Sequence, residues 1–260
     1  MQIVGRDKTV IATTEDWRTL CPPKGGDDHW NSGRSARELA EAWCGTTGPC
    51  VPEEIAQLLG SHPDFCDVSI ERVFPERQIR FDNLRGEPRN ADLAVEAHDR
   101  DGRVAITVEG KADESFDRTI SAVLESATQR IARDTRTGAI DRIESLASAL
   151  LPPWREGLPH LGELRYQLLT GLAGTLAWAR EIDASRAIFI VHEFVTDQTR
   201  DPKHSMNAAD LYAFLTRLSD GVIGSLTAGT LAGPIRVPGN SDLPSVPVYI
   251  GKAVRTTRER

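Results

Sequence analysis

No apolar run in the chain approaches the ~18–20 residues needed to cross a bilayer. The opening MQIVGRDKTV has no apolar core of a secretory signal. Both absences predict a cytoplasmic address and no membrane partner. Cysteine is scarce. The four residues, at 21, 44, 50 and 66, form no C-x₂-C pair, and Cys44 to Cys50 is too wide for a zinc knuckle. Buried free thiols are the expectation. Also missing are a G-x-x-x-x-G-K-[ST] phosphate loop, a G-x-G-x-x-G turn and a G-x-S-x-G nucleophile elbow. His192-Glu193 begins no zinc-protease motif, because Thr196 stands where a second His is required; a histidine at the edge of the core is the reading. Aromatics make up only 6%, and 31 Lys and Arg fall short of 38 Asp and Glu. The resulting net charge of −7 excludes a broad surface that coats nucleic acid, but not a local basic groove. The sequence carries no internal repeat and no low-complexity segment.

What is present suits one large globular domain or a domain with an appendage. A chain of 260 residues, 40% hydrophobic and 27% charged, can bury a full core. Residues 9–12 read as a short strand before an irregular loop. Residues 35–43 read as an amphipathic helix with Ala36, Leu39, Ala40 and Trp43 on one side, and Ser35 with Glu38 fits a capping box. A second short helix runs from Pro52 to Leu59. Residues 67–74 alternate as a first core strand, and 75–90 either continue it or curl. Arg77, Arg80, Arg85 and Arg89 form a charged run that is either a solvated loop or a phosphate-contacting patch. Helix is expected over 115–150, broken near Gly138, and again over 161–180. Residues 187–195 read as a buried central strand, and 207–218 as a helix. Residues 246–250 read as an edge strand that tolerates Pro247, with a frayed end over 255–260.

The most informative stretch is NADLAVEAHDRDGRVAITVEGKAD, from Asn90 to Asp113. Two strands, 91–98 and 103–111, flank the turn Asp99-Arg100-Asp101-Gly102. Side chains alternate between faces along each strand. Setting His98 opposite Arg103 places Ala97 against Val104, Val95 against Ile106 and Leu93 against Val108. A slip of one residue would mix apolar with polar, so the register is fixed. The same register sets Asp92 opposite Glu109, with Lys111 two residues on. Two neighbouring carboxylates repel unless a cation sits between them. Their oxygens suit Mg²⁺ or Mn²⁺, and a nearby Lys can position a water for attack on a phosphate. The plain alternative is a solvated hairpin face with a cross-strand Lys–Glu pair.

Asp92 followed by Glu109-Gly110-Lys111 resembles the motif of the PD-(D/E)xK nuclease superfamily, although Ala91 stands where that motif often has Pro. The resemblance implies an α/β (α+β) single domain over residues 1–260 with a restriction-endonuclease-like core at about 35–195. That core orders its elements as helix, three antiparallel strands, helix, strand, making a mixed central sheet flanked by helices. Residues of about 220–260 would be an extension. It implies metal ligation by Asp92 and Glu109, with Mg²⁺ or Mn²⁺ as cofactor, and assistance by Lys111. It also implies a shell contribution from Glu38 on the first helix, with Glu41 in reserve, although capping alone would explain Glu38. Gln167, in Arg165-Tyr166-Gln167, resembles a Gln found behind the site in some branches; its alternative is a solvent-facing helix residue. The reaction implied is hydrolysis of a phosphodiester, with DNA as the partner. A catalytically silent binding or regulatory protein is the rival reading, and a homodimer is left open.

Overall fold

The computed structural model describes residues 1–257. Among the described residues, eight strands form one mixed sheet in the order β2-β1-β3-β4-β5-β6-β8-β7. They are β1 Gln2–Val4, β2 Val10–Ile11, β3 Ser69–Ile79, β4 Arg89–Asp99, β5 Gly102–Lys111, β6 Arg186–Thr196, β7 Thr230–Ile235 and β8 Val248–Thr257. β3, β4 and β5 run antiparallel, whereas β6 joins β5 in parallel and β8 joins β6 in parallel. Seven α-helices of the described residues cover the sheet: α1 Thr14–Leu20, α2 Ser35–Cys44, α3 Glu53–Gly60, α4 Ile120–Ile131, α5 Ala139–Leu150, α6 Tyr166–Glu181 and α7 Asp201–Leu218. The architecture is a mixed α/β sheet with helices on both faces, as expected at that level.

Alternation along the strands gives the sheet two cores. Leu93, Val95, Val104, Ile106, Val108, Ile188 and Ile190 face α1, α2 and α3, whose Trp17, Leu39, Trp43 and Leu58 complete that layer. Ala94, Ala105, Ala187, Phe189 and Val191 face the other way, onto α6 and its neighbours α4, α5 and α7. α6 is buried along most of its length, as a helix apolar on all sides must be. It approaches the sheet closely at Gly171, where a Cβ would come within 2.7 Å of the Phe189 ring. Trp178 Nε1 donates to the carbonyl of Val95 at 3.0 Å, and Thr107 and Thr175 share a buried hydroxyl bond of 2.5 Å. These contacts fix the helix over β4 and β5.

The hairpin forms in the expected register: His98 pairs with Arg103, Ala97 with Val104, Val95 with Ile106 and Leu93 with Val108. Gly102 takes φ of +121° at the turn, a region that favours Gly. Other expectations shift. β1 has no counterpart in the sequence reading. β3 continues to Ile79 before the chain curls. Residues 115–119 precede α4 rather than joining it, and α7 begins six residues early, at Asp201. β8 is not an edge strand. It lies between β6 and β7, with Pro247 just before it, and its pairing reaches Thr257. Arg255 to Thr257 are therefore sheet, while 258–260 lie outside the described residues. The expected extension at 220–260 supplies two strands of the main sheet. Cys21 and Cys44 are buried thiols as expected, but Cys50 and Cys66 are exposed.

Candidate active site

The open end of the hairpin presents its polar residues on the α6 face. Glu109 and Lys111 are adjacent inward positions of β5, 2% and 5% exposed. Lys111 Nζ donates to Glu109 Oε1 at 2.9 Å. Gln167, in the first turn of α6, donates its amide to the same oxygen, and its own Oε1 accepts the N–H of Asp117 at 3.1 Å. Arg89, the first residue of β4, donates through Nη2 to Glu109 Oε2. Asp92 Oδ2 accepts the backbone N–H of Gly110 at 2.8 Å. That bond locks the end of β4 to β5 beyond the last ladder pair. Lys111 also lies over the Phe116 ring, 5.2 Å from its centroid.

A third carboxylate belongs to the cluster, and sequence reasoning missed it. Glu76 falls between the pairs Pro75–Leu93 and Arg77–Ala91, directly across from Asp92. It is buried, accepts a hydrogen bond from Asn90 Nδ2 and takes φ of +50°. Such a backbone for Glu is uncommon and strained. The available signal was position. Carrying the antiparallel pairing of β3 with β4 past Phe74 sets Glu76 opposite Asp92.

These groups shift one another. Burial raises Asp92 well above the ordinary aspartate value, and the charges of Glu109 and then Glu76 push the same way. Burial also pushes Glu76 up, to about 7, against the opposing pull of Asn90 and Arg6. Glu109 goes the other way. Burial disfavours its charge most strongly, but Lys111 and Arg89 together outweigh burial and hold the carboxyl below its usual value. One carboxylate is thus held ionised by two cations, while two others resist ionisation.

The structure therefore brings Asp92, Glu109, Lys111 and Gln167 together. It does not bring Glu38. α2 packs on the opposite face of the sheet, and the Glu38 carboxylate accepts the Gly33 N–H at 2.8 Å and faces Thr257 Oγ1 at 3.5 Å. The expected capping box is also absent. Arg34 is the cap residue, and the Ser35 N–H turns to Glu114 Oε1 at 3.3 Å. Glu41 is exposed and bonded to Arg37. Of the arginine run, only Arg89 reaches the cluster; Arg77 pairs with Glu181 and lies over Trp178. His192 is not at the core's edge but fully buried, on the α3 face, where its Nε2 lies 2.8 Å from Glu54.

Among the described residues, no group of three or more His, Cys, Asp or Glu side chains is gathered to hold a metal ion. The donor chemistry nevertheless fits a hard cation at Asp92 and Glu109. Mg²⁺ needs only one or two carboxylates because it keeps several waters, and a cation there would offset both the burial and the neighbouring charge that raise Asp92. Glu109 Oε2 would first have to part from Arg89. A cleft of about 270 Å³ opens beside the cluster, lined by Arg89, Asn90, Tyr166, Gln167, Lys24 and Arg142 among others. The larger groove, about 930 Å³, lies on the other face between α2, α3 and β8, away from these groups.

No helix among the described residues is long and apolar enough to cross a membrane. No curated protein and no solved structure matches the chain. A family model does match, over residues 10–256. The chain belongs to that family, described as a domain of unknown function, DUF6946.

Proposed function

We propose that the protein is a metal-dependent nuclease of restriction-endonuclease-like fold that hydrolyses phosphodiester bonds, with DNA as the substrate. The convergence of Asp92, Glu109, Lys111 and Gln167 at one end of the sheet carries this reading. With α3 inserted before β3 and α4 and α5 inserted before α6, the order of elements supports it: α2, then β3, β4 and β5 antiparallel, then α6, then β6 parallel to β5. That is the succession the PD-(D/E)xK resemblance implies.

Asp92 and Glu109 would hold Mg²⁺ or Mn²⁺, which supplies charge stabilisation at the phosphoryl oxygens and a more acidic water. Lys111 gives one N–H to Glu109 and has two more with which to orient a water. Gln167 fixes the Glu109 carboxylate by donating to it while its own carbonyl is anchored at Asp117. Glu76, when ionised, adds negative potential beside Asp92.

The test is cleavage of supercoiled plasmid, linear duplex, single-stranded DNA and RNA, with Mg²⁺ or Mn²⁺ and then with EDTA. Lys111→Ala serves as the contamination control. Metal-dependent cutting that the variant lacks supports the reading. No cutting by a folded protein on any substrate moves the function to the second reading, a catalytically silent binding or regulatory protein. One observation favours that reading: Arg89, Lys111 and Gln167 already occupy both oxygens of Glu109. Mn²⁺ binding that Asp92→Asn abolishes would count against it.

A further inference from the structure

Arg89 gives Glu109 only part of what its guanidinium offers. Nη2 is bonded, but Nε is buried and has no acceptor. Leaving a buried N–H unmatched is unfavourable, and the side chain packs against α6. Its stem lies against that helix so closely that a Cβ on Gly174 would stand 3.2 Å from Arg89 Cγ. Arg89 lines the wall of the 270 Å³ cleft beside the cluster. Two other cations line that cleft, and both have partners of their own. Lys24 is paired with Glu87, and Arg142 holds Asp82 with two bonds of 2.6 and 3.1 Å. Of the three, Arg89 is the cation whose unmatched donor is buried. A ligand that answers it needs anionic oxygens presented to a planar fork, which is the chemistry of a phosphate.

We propose that this cleft receives a substrate phosphate and that Arg89 binds it through the N–H groups not given to Glu109. The inference rests on the phosphodiester reading of the cluster and adds to it the residue that meets the anion. It also narrows the substrate. A cleft of this volume takes one phosphate with its attached sugar or base, not a duplex, so an unpaired strand or a strand end is the ligand class.

The test is calorimetric titration of the full chain with inorganic phosphate, then with a single-stranded oligonucleotide carrying or lacking a 5′-phosphate. Arg89→Lys keeps the charge and removes the fork. Gly174→Ala keeps every charged group, favours the helix and crowds the Arg89 stem. Phosphate binding weakened about tenfold in Arg89→Lys, the scale of a lost charge-assisted pair, and severalfold in Gly174→Ala supports the proposal. Equal binding by all three proteins overturns it, as does absence of phosphate binding by the wild type. Among Arg89-dependent results, preference for the phosphorylated oligonucleotide assigns the cleft to a strand end, and equal binding assigns it to an internal phosphodiester. Arg89-dependent phosphate binding without cleavage would overturn the nuclease reading alone. Metal-dependent cleavage with the same KM and kcat in Arg89→Lys would overturn this inference alone.

Discussion

Replacing Glu76 by Gln tests whether burial, with a smaller push from Glu109, disfavours the charge of this carboxylate. The Gln carbonyl can still accept from Asn90, so the change removes charge and little else. Glu76 has its folded value raised from 4.5 to about 7. Below about pH 4.5 the group is protonated folded and unfolded, and costs nothing. As pH rises from there toward 7 the unfolded chain ionises first, so stability is lost across that window and the loss levels off above it. A change of that size corresponds to on the order of 3 kcal/mol at neutral pH. For a chain of this length that is roughly 5–10 °C in Tm. Thermal unfolding followed by circular dichroism between pH 4 and 8 reads it directly. The variant should match the wild type near pH 4 and melt several degrees higher near pH 7.5. An equal difference at both ends of the range, or a lower Tm at pH 7.5, would refute the electrostatic account of the site.

Two further outcomes follow from the same geometry. In the wild type, Mn²⁺ at about a hundred times its Kd should add ~2.7 kcal/mol of stability; Asp92→Asn should melt without any response to the metal, and a variant that responds as the wild type does would remove Asp92 from the ligand set. Gly171→Ala should cost about 1–2 kcal/mol in chemical denaturation, because the 2.7 Å approach to Phe189 overpacks the core by more than the helix gains from Ala; a stabilised variant would show that the ring yields freely.

The hairpin was legible because both strands alternate cleanly and only one register satisfies every pair. That register carries Asp92 to Gly110 and sets Glu109 beside Lys111, so the centre of the site follows from local pattern. Gln167 was reachable only through resemblance, since nothing local says which helix residue will meet a strand 58 positions away. Glu76 escaped because Pro75 and an uncommon backbone angle interrupt the alternation that would have carried β3 onward. Glu38 misled for a different reason. The Ser35–Glu38 spacing suits a capping box, but Ser35 itself entered the helix, and the face on which α2 packs is set by the whole sheet. The ends of the sheet were the least legible. β8 owes its place to a ten-residue pairing with β6, and no short window of sequence contains both partners.

That pairing has a kinetic consequence. β6 is buried along most of its length, and its free side is covered only when a strand beginning 52 residues after its own end arrives, after α7 and β7 have been laid down. Parallel strands brought together over such separations join late. Until then β6 offers a bare row of backbone donors and acceptors to any extended chain nearby. Refolding should therefore lose yield as protein concentration rises, with intermolecular strand pairing competing against β8 for the same edge.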